Sequence, residues 1–244
     1  MVTSHAPLDL RKVAASLTPH LDFYRRKAPH YQTVMLNSLL TLWREHHERV
    51  LDIGGGTGVI GQCVADFFPV GTVEAVDVVD RFCPTLDIQT RLFDGRTLPF
   101  PDAAFDAATI NNVVHHVPVD ERVPLFREIR RVLKGPLFIK DHEARSRLDH
   151  LRLACLDLVG NIPFGGMVRA DYLESPDWHT LARESNFRIA ETAHAVYRTG
   201  AFAMLFPNRI EIVMDRVPRR GVASGEPLRS PAWAGTIRLP WWAG

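Results

Sequence analysis

The spacing of apolar positions changes along the chain and divides it into parts. Residues 8–17 and 31–47 carry apolar side chains at helical spacing, with Val34, Leu36, Leu39, Leu40 and Trp43 in the second stretch and Pro19 and Pro29 between turns. Residues 1–48 are therefore expected to form an N-terminal helical segment. It could be a lid over a ligand, to which Phe23, Tyr24 and Tyr31 would contribute, or plain helical packing. Residues 49–53 then read as a short buried strand interrupted by one acid, Asp52, and stop at the cluster Gly54-Gly55-Gly56-Thr57-Gly58. Residues 59–67 return to amphipathic helical spacing.

The same alternation continues. Strands are expected at 71–78, 91–95, 107–112 and 136–141, with an amphipathic helix over 119–133 that carries Val123, Leu125, Phe126, Ile129 and Val132. Strands alternating with helices at this spacing mean βαβ units and a parallel sheet. Residues 143–186 read as a mostly helical insert, with a Gly-rich aromatic loop at 161–167 suited to covering a substrate. Two further strands are expected at 187–196 and 209–217. The connection between them is too short for a crossover helix, which predicts an antiparallel end to the sheet. The sequence thus divides into the N-terminal segment 1–48, a main domain over 49–218 that contains the insert, and a flexible tail over 219–244 rich in Pro, Gly, Ser and Arg.

Composition narrows the class. The 244 residues are 46% hydrophobic and 23% charged, as in a globular domain. A net charge of +1 gives no electrostatic case for nucleic acid as the main partner. No apolar run approaches the roughly 20 residues of a membrane span, and residues 1–7 show no export signal. Three cysteines without paired spacing fit a reducing, cytoplasmic setting rather than a disulfide or zinc framework.

The glycine turn is where the chemistry starts. In one register, Gly56-x-Gly58-x-x-Gly61 with Asp77 beyond it satisfies a dinucleotide fingerprint, which keeps an NAD(P)-dependent oxidoreductase open. In the other, Asp52 stands just before Gly54, Gly56 and Gly58. A carboxylate inside a buried strand is costly unless paired, and a pyrophosphate would make it worse. An ammonium-bearing ligand, reached directly or through a water, would compensate it. Asp77, with Val78 at the end of the second strand, can accept both hydroxyls of a ribose, and Asp94 at the end of the third can accept from an adenine amine. Ribose, adenine and a cationic tail without phosphate describe S-adenosylmethionine.

These residues, together with Leu98-Pro99-Phe100-Pro101-Asp102, Phe105-Asp106 and Val114-His115-His116-Val117, resemble the class I S-adenosylmethionine-dependent methyltransferases, in their small-molecule branch. The resemblance covers residues 49–142 well and the two late strands loosely. It implies a Rossmann-like, seven-stranded, mostly parallel α/β sheet with helices on both faces and one antiparallel strand near the C-terminus. By it, Asp52, Gly54, Gly55, Gly56, Thr57 and Gly58 line the methionine end, Asp77 holds the ribose, Asp94 and Gly95 hold the adenine, and Asn111 borders the pocket. S-adenosylhomocysteine would be the product.

Catalytic candidates must sit at strand ends beside the donor. His115 and His116 follow the fourth strand, and Asp141-His142 follows the fifth. An imidazole titrates near neutral pH and can take a proton from a hydroxyl acceptor, and Asp141 could orient one. The alternatives are packing for the histidines and a helix cap for Asp141. Asp141, His142, Asp149 and His150 could form a metal cluster, but the adjacency of Asp149 and His150 argues against one, and no metal is expected. Tyr172, Trp178, Tyr197 and Phe206 are candidates for the acceptor pocket. The expectation is a methyltransferase acting on oxygen or nitrogen of a small molecule, with a biosynthetic role among its settings, as a monomer or homodimer. A non-methylating cyclase or binding protein that retains the donor is the further alternative. A nucleic-acid methyltransferase lacks support, because no Asn-Pro-Pro-aromatic motif ends the fourth strand.

Overall fold

The computed structural model describes residues 6–153, 170–197 and 209–217. The expected loop at 161–167, Phe206 and the tail beyond 219 lie outside the described residues.

Seven strands form one sheet: β1 (His47–Ile53), β2 (Val70–Asp77), β3 (Gln89–Leu92), β4 (Ala107–Asn111), β5 (Leu137–His142), β6 (Phe187–Ala193) and β7 (Arg209–Arg216). Their order is β3-β2-β1-β4-β5-β7-β6. The first five pair in parallel, while β7 runs antiparallel to both β5 and β6. The expected architecture is therefore the observed one. Because β1 is followed by β2 on one side and flanked by β4 on the other, the sheet reverses its winding there, and a crevice opens outside the strand ends.

Each face of the sheet has its own core. One packs α5 (Val119–Val132) and α6 (Ser175–Glu184) through Phe126, Ile129, Trp178 and Leu181 onto Leu51, Ile110 and Ile139. The other packs α1 (Leu10–Leu17), α3 (His30–Leu42) and α4 (Val59–Phe67) onto Val50, Val73, Ala107 and Phe138. A short helix, α2 (Phe23–Arg26), joins α1 to α3. The N-terminal segment is thus continuous with the core, since Val13, Leu17, Leu36 and Leu39 are fully buried.

One boundary differs from expectation. The second N-terminal helix ends at Leu42, and His47 already belongs to β1. Trp43 leaves the helix in extended conformation and stacks on Phe138, with ring centroids 4.2 Å apart. The polar run from Arg44 to His46 has no apolar side chain to keep a helix on the core, so it crosses to the strand. Within the expected insert, residues 147–153 are helical, and Glu143 bridges Leu173 in parallel shortly before α6 begins. No helix among the described residues is long and apolar enough to cross a membrane.

Candidate functional site

A cavity of about 250 Å³ lies at the crevice. Its floor comes from the turn after β1 (Ile53 to Thr57), from Asp77 and Val78 after β2, and from Asn111 to Val113 after β4. Leu21, Tyr24, Tyr31, Gln32 and Met35 of the N-terminal segment close it from the other side. That segment therefore both packs on the sheet and walls the cavity.

The glycine turn is pinned to β2. The N–H groups of Gly54 and Gly55 donate to the Val76 carbonyl at 2.8 and 3.0 Å, and that of Gly56 donates to Asp77 Oδ2 at 2.7 Å. Gly54 has φ +69°, and a Cβ there would stand 2.5 Å from Val113 Cγ2, so both backbone and space demand glycine. Gly56 is also left-handed, but a Cβ on it would meet nothing within 4 Å, because it faces open space. Gly58 forms the N-cap of α4 at φ +81° and does not line the cavity.

Asp52 sits behind the turn, 2% exposed. Its Oδ1 accepts from Thr109 Oγ1 at 2.7 Å and from Asn111 Nδ2 at 3.4 Å, while Oδ2 is buried with no hydrogen-bond partner. Burial pushes its carboxyl up to about 6, against the lowering effect of those two bonds. Asp52 does not line the cavity, and its Oδ2 faces Gly55 and Gly61, so its charge reaches a ligand's cationic tail only from behind the turn. Asp77 is buried, and its Oδ1 accepts from the Val79 N–H at 3.0 Å, with the Arg81 guanidinium 3.7 Å away. Asp94 is exposed and outside the cavity walls. Its Oδ1 accepts from the N–H groups of Arg96 and Thr97, an Asx turn whose backbone bonds hold the carboxyl below its usual range although burial opposes them. Gly95, at φ +77°, is likewise outside the walls, and Phe93 reaches the cavity from this loop instead.

The four catalytic candidates separate. His116 borders the cavity, whereas His115, Asp141 and His142 do not. Those three form a buried group at the end of β5. His115 Nδ1 bonds Asp141 Oδ1, which also accepts from the His142 N–H at 2.7 Å, and Oδ2 accepts from the Val114 N–H at 3.0 Å. Burial alone would raise the Asp141 carboxyl, but the His115 charge and these bonds outweigh it and hold it well below the usual range. Among the described residues, these three also bring their ligand-type atoms within 4.8 Å of one another. Both carboxylate oxygens of Asp141 accept hydrogen bonds within the group. Asp149 and His150, weighed with Asp141 and His142 as a metal cluster that the sequence argued against, do not join it. Asp149 accepts from the Arg145 N–H at 3.1 Å, and His150 lies 3.7 Å from Glu174.

Of the expected acceptor-pocket aromatics, Trp178 is core, Tyr172 stacks on His115 at 5.0 Å between centroids, and Tyr197 packs at a tilt against Tyr31 at 5.0 Å. The sequence reading passed over Lys140. It is fully buried in β5, and its Nζ bonds both Tyr31 Oη and Asn112 Oδ1. The available signal was a lone cation in the apolar run Leu137-Phe138-Ile139. Strand alternation puts Lys140 and Asp141 on opposite faces, so each strand-end charge serves a different cluster.

A family model described as "Methyltransferase domain" matches residues 51–136. A malonyl-[acyl-carrier protein] O-methyltransferase of Geobacter sulfurreducens is 29% identical over 173 residues, covering 66% of this chain and 64% of that protein. The uncharacterized methyltransferase YcgJ of Bacillus subtilis is 36% identical over 106 residues, 39% of this chain and 41% of that protein. The chain thus spans less than two thirds of the length of either relative. Among solved structures, an S-adenosylmethionine dependent methyltransferase from Mesorhizobium loti matches with a TM-score of 0.57 at 15% identity, covering 76% of this chain and 98% of that one, a likeness of fold.

Proposed function

We propose that the protein, whose residues 51–136 match the methyltransferase domain, is a class I S-adenosylmethionine-dependent methyltransferase that moves a methyl group to an oxygen or nitrogen of a small molecule. The observation that carries the proposal is a cavity floored by the glycine turn and Asp77, with the buried, unpartnered Oδ2 of Asp52 behind the turn and outside the lining. A dinucleotide reading fits these residues less well. The Gly56 N–H that would face a phosphate is taken by the Asp77 carboxylate, and a pyrophosphate would add negative charge beside two acids.

In this reading the turn from Gly54 to Thr57 and Asn111 hold the methionine end, with Asp52 supplying the compensating charge. Asp77 and Val78 hold the ribose, and Phe93 lies beside the adenine. Asp94 and Gly95 act by shaping the loop that carries Phe93. The bound donor supplies an activated methyl group on a sulfonium. The chain's own work is to orient donor and acceptor and to exclude water, for which the N-terminal helices are placed as cover. His116 touches the acceptor, while His115, Asp141 and His142 are positioning residues that fix the β4–β5 edge. The Geobacter relative is named for O-methylation, which favours oxygen over nitrogen as the receiving atom.

Calorimetric titration of the protein with S-adenosylhomocysteine and with NAD(H), followed by incubation with a set of small hydroxyl and amine acceptors, tests the proposal. Donor-product binding and adenosylhomocysteine release with at least one acceptor are expected. Tight NAD(H) binding without adenosylhomocysteine binding would overturn it. Donor binding with no release across the set would point to the cyclase or binding-protein alternative.

A further inference from the structure

Along the sheet edge, Asp77, the glycine turn and Asn111 occupy β2, β1 and β4 in order, so the next strand, β5, faces the acceptor side of the cavity. The side chain that β5 presents there is Lys140. Its Nζ bonds Tyr31 Oη and Asn112 Oδ1, and it lies over the Tyr31 ring at 4.9 Å. In its neutral form Tyr31 Oη donates to Asn112 Oδ1 at 3.1 Å, a bond given up on ionisation, while the Lys140 contact is kept. Tyr31 and Asn112 both line the cavity, so the buried ammonium acts on it through them. Asn112 holds a left-handed φ of +56°, an uncommon conformation for a residue other than glycine, at the point where β4 ends.

Resting on the methyltransferase reading, we propose that Tyr31 is the proton acceptor for a hydroxyl-bearing substrate, and that Lys140 positions its oxygen and favours the phenolate. A cation in direct contact stabilises the charged form of a phenol. In turnover, the acceptor's O–H proton goes to the Tyr31 oxygen and the acceptor oxygen forms the new O–CH₃ bond. The electron pair of the broken C–S bond stays on sulfur. Charge is conserved, since the phenolate and the sulfonium are neutralised together, and Tyr31 returns its proton to water before the next turnover. The acceptor class is therefore an alcohol or phenol.

The groups facing Tyr31 come from several elements. Lys140 of β5 is the cation in contact. Tyr197 and, behind it, Glu211 of β7 form the far side of the aromatic wall, where Tyr197 Oη donates to Glu211 Oε1 and the Ala195 N–H donates to Oε2 at 3.1 Å. Glu211 lies opposite Lys140 in the β5–β7 ladder, and its charge is directed at Tyr197. Tyr24 of α2, whose phenol burial pushes up, His116 of the turn after β4, and Asp77 with Arg81 across the cavity complete the set.

The chain has four tyrosines, so tyrosinate absorbance reads this group without any acceptor. Ultraviolet difference titration of the whole protein should show one tyrosine ionising at least one unit below the ordinary value of about 10. That transition should vanish in Tyr31→Phe, which keeps the ring against Tyr197, and move up by a unit or more in Lys140→Met, which fills the same space without charge. Circular dichroism should stay at the wild-type level in Tyr31→Phe. Absence of any early transition, or its survival in Tyr31→Phe, would overturn the assignment. Failure of the wild-type protein to bind adenosylhomocysteine would instead strike the methyltransferase reading, whatever the tyrosine does.

Discussion

The backbone N–H of Gly56 donates to Asp77 Oδ2 at 2.7 Å, tying the turn after β1 to the end of β2. The bond fixes the open face of the turn and orients the carboxylate on the cavity floor. One acid thereby shapes the loop and offers an acceptor to the ligand.

Asp77→Ala should weaken adenosylhomocysteine binding by on the order of 1.5–3 kcal/mol, the worth of hydrogen bonds to a charged group. Asp77→Asn keeps an oxygen for the Gly56 N–H and should lose less. Equal affinities for wild type and Asp77→Ala, by calorimetry, would remove Asp77 from the donor site.

Asp52 gives a pH signature. Its carboxyl lies at about 6 in the unliganded protein, and a cationic ligand favours the ionised form. Donor affinity should therefore fall as pH drops through about 6, approaching tenfold per unit well below it, and flatten above about 7. The sign for stability is opposite. Because the folded value is raised above the unfolded one, the ionised side chain destabilises the unliganded protein at pH 7, by up to about 3 kcal/mol. Asp52→Asn should raise the melting temperature without donor and abolish the pH dependence of binding. A variant that binds the donor with the same pH profile as wild type would show that the charge is not used.

Asp141→Asn leaves buried His115 without its carboxylate. Breaking a buried pair by removing one partner costs about 3–5 kcal/mol, and denaturant midpoints should report a loss of that size. The folded carboxyl is held below its unfolded value, so its contribution is present above about pH 4 and fades as pH falls further. Wild type should lose stability more steeply than the variant below about pH 4. A loss under about 1 kcal/mol at pH 7 would mean that the cluster is structurally idle.

Gly54→Ala meets two obstacles, a φ of +69° and Val113 Cγ2 at 2.5 Å. Left-handed backbone costs a non-glycine residue roughly 1–2 kcal/mol, and the clash adds to it. Pairing it with Val113→Ala should recover the steric part and leave the backbone part. If the double variant is no more stable than the sum of the single effects, as judged by thermal unfolding, the contact is not as close as the structure has it.

Much of this was legible along the chain because it depends on short-range pattern. Strand–glycine turn–helix periodicity announced β1, the turn and α4, and the brief gap between the late strands announced the antiparallel end. Boundaries were harder to read. The helix expected to reach His47 stops at Leu42, because Trp43 finds Phe138, 95 residues away in sequence and reached only in the folded chain. The acids show the same divide. Asp77 lines the cavity, Asp52 stays behind the turn, and Asp94 turns its carboxylate into its own loop, where two N–H groups lie close.

By itself, the sequence determined the sheet, the glycine turn and the presence of acids at strand ends, for these follow from local periodicity and residue type. Tertiary structure alone decided which side chains share a cavity. It sent Asp141 with His115 to one face of β5, and Lys140 with Tyr31 and Asn112 to the other. Neighbours in a strand point to opposite faces, so two adjacent letters of sequence belong to two separate sites.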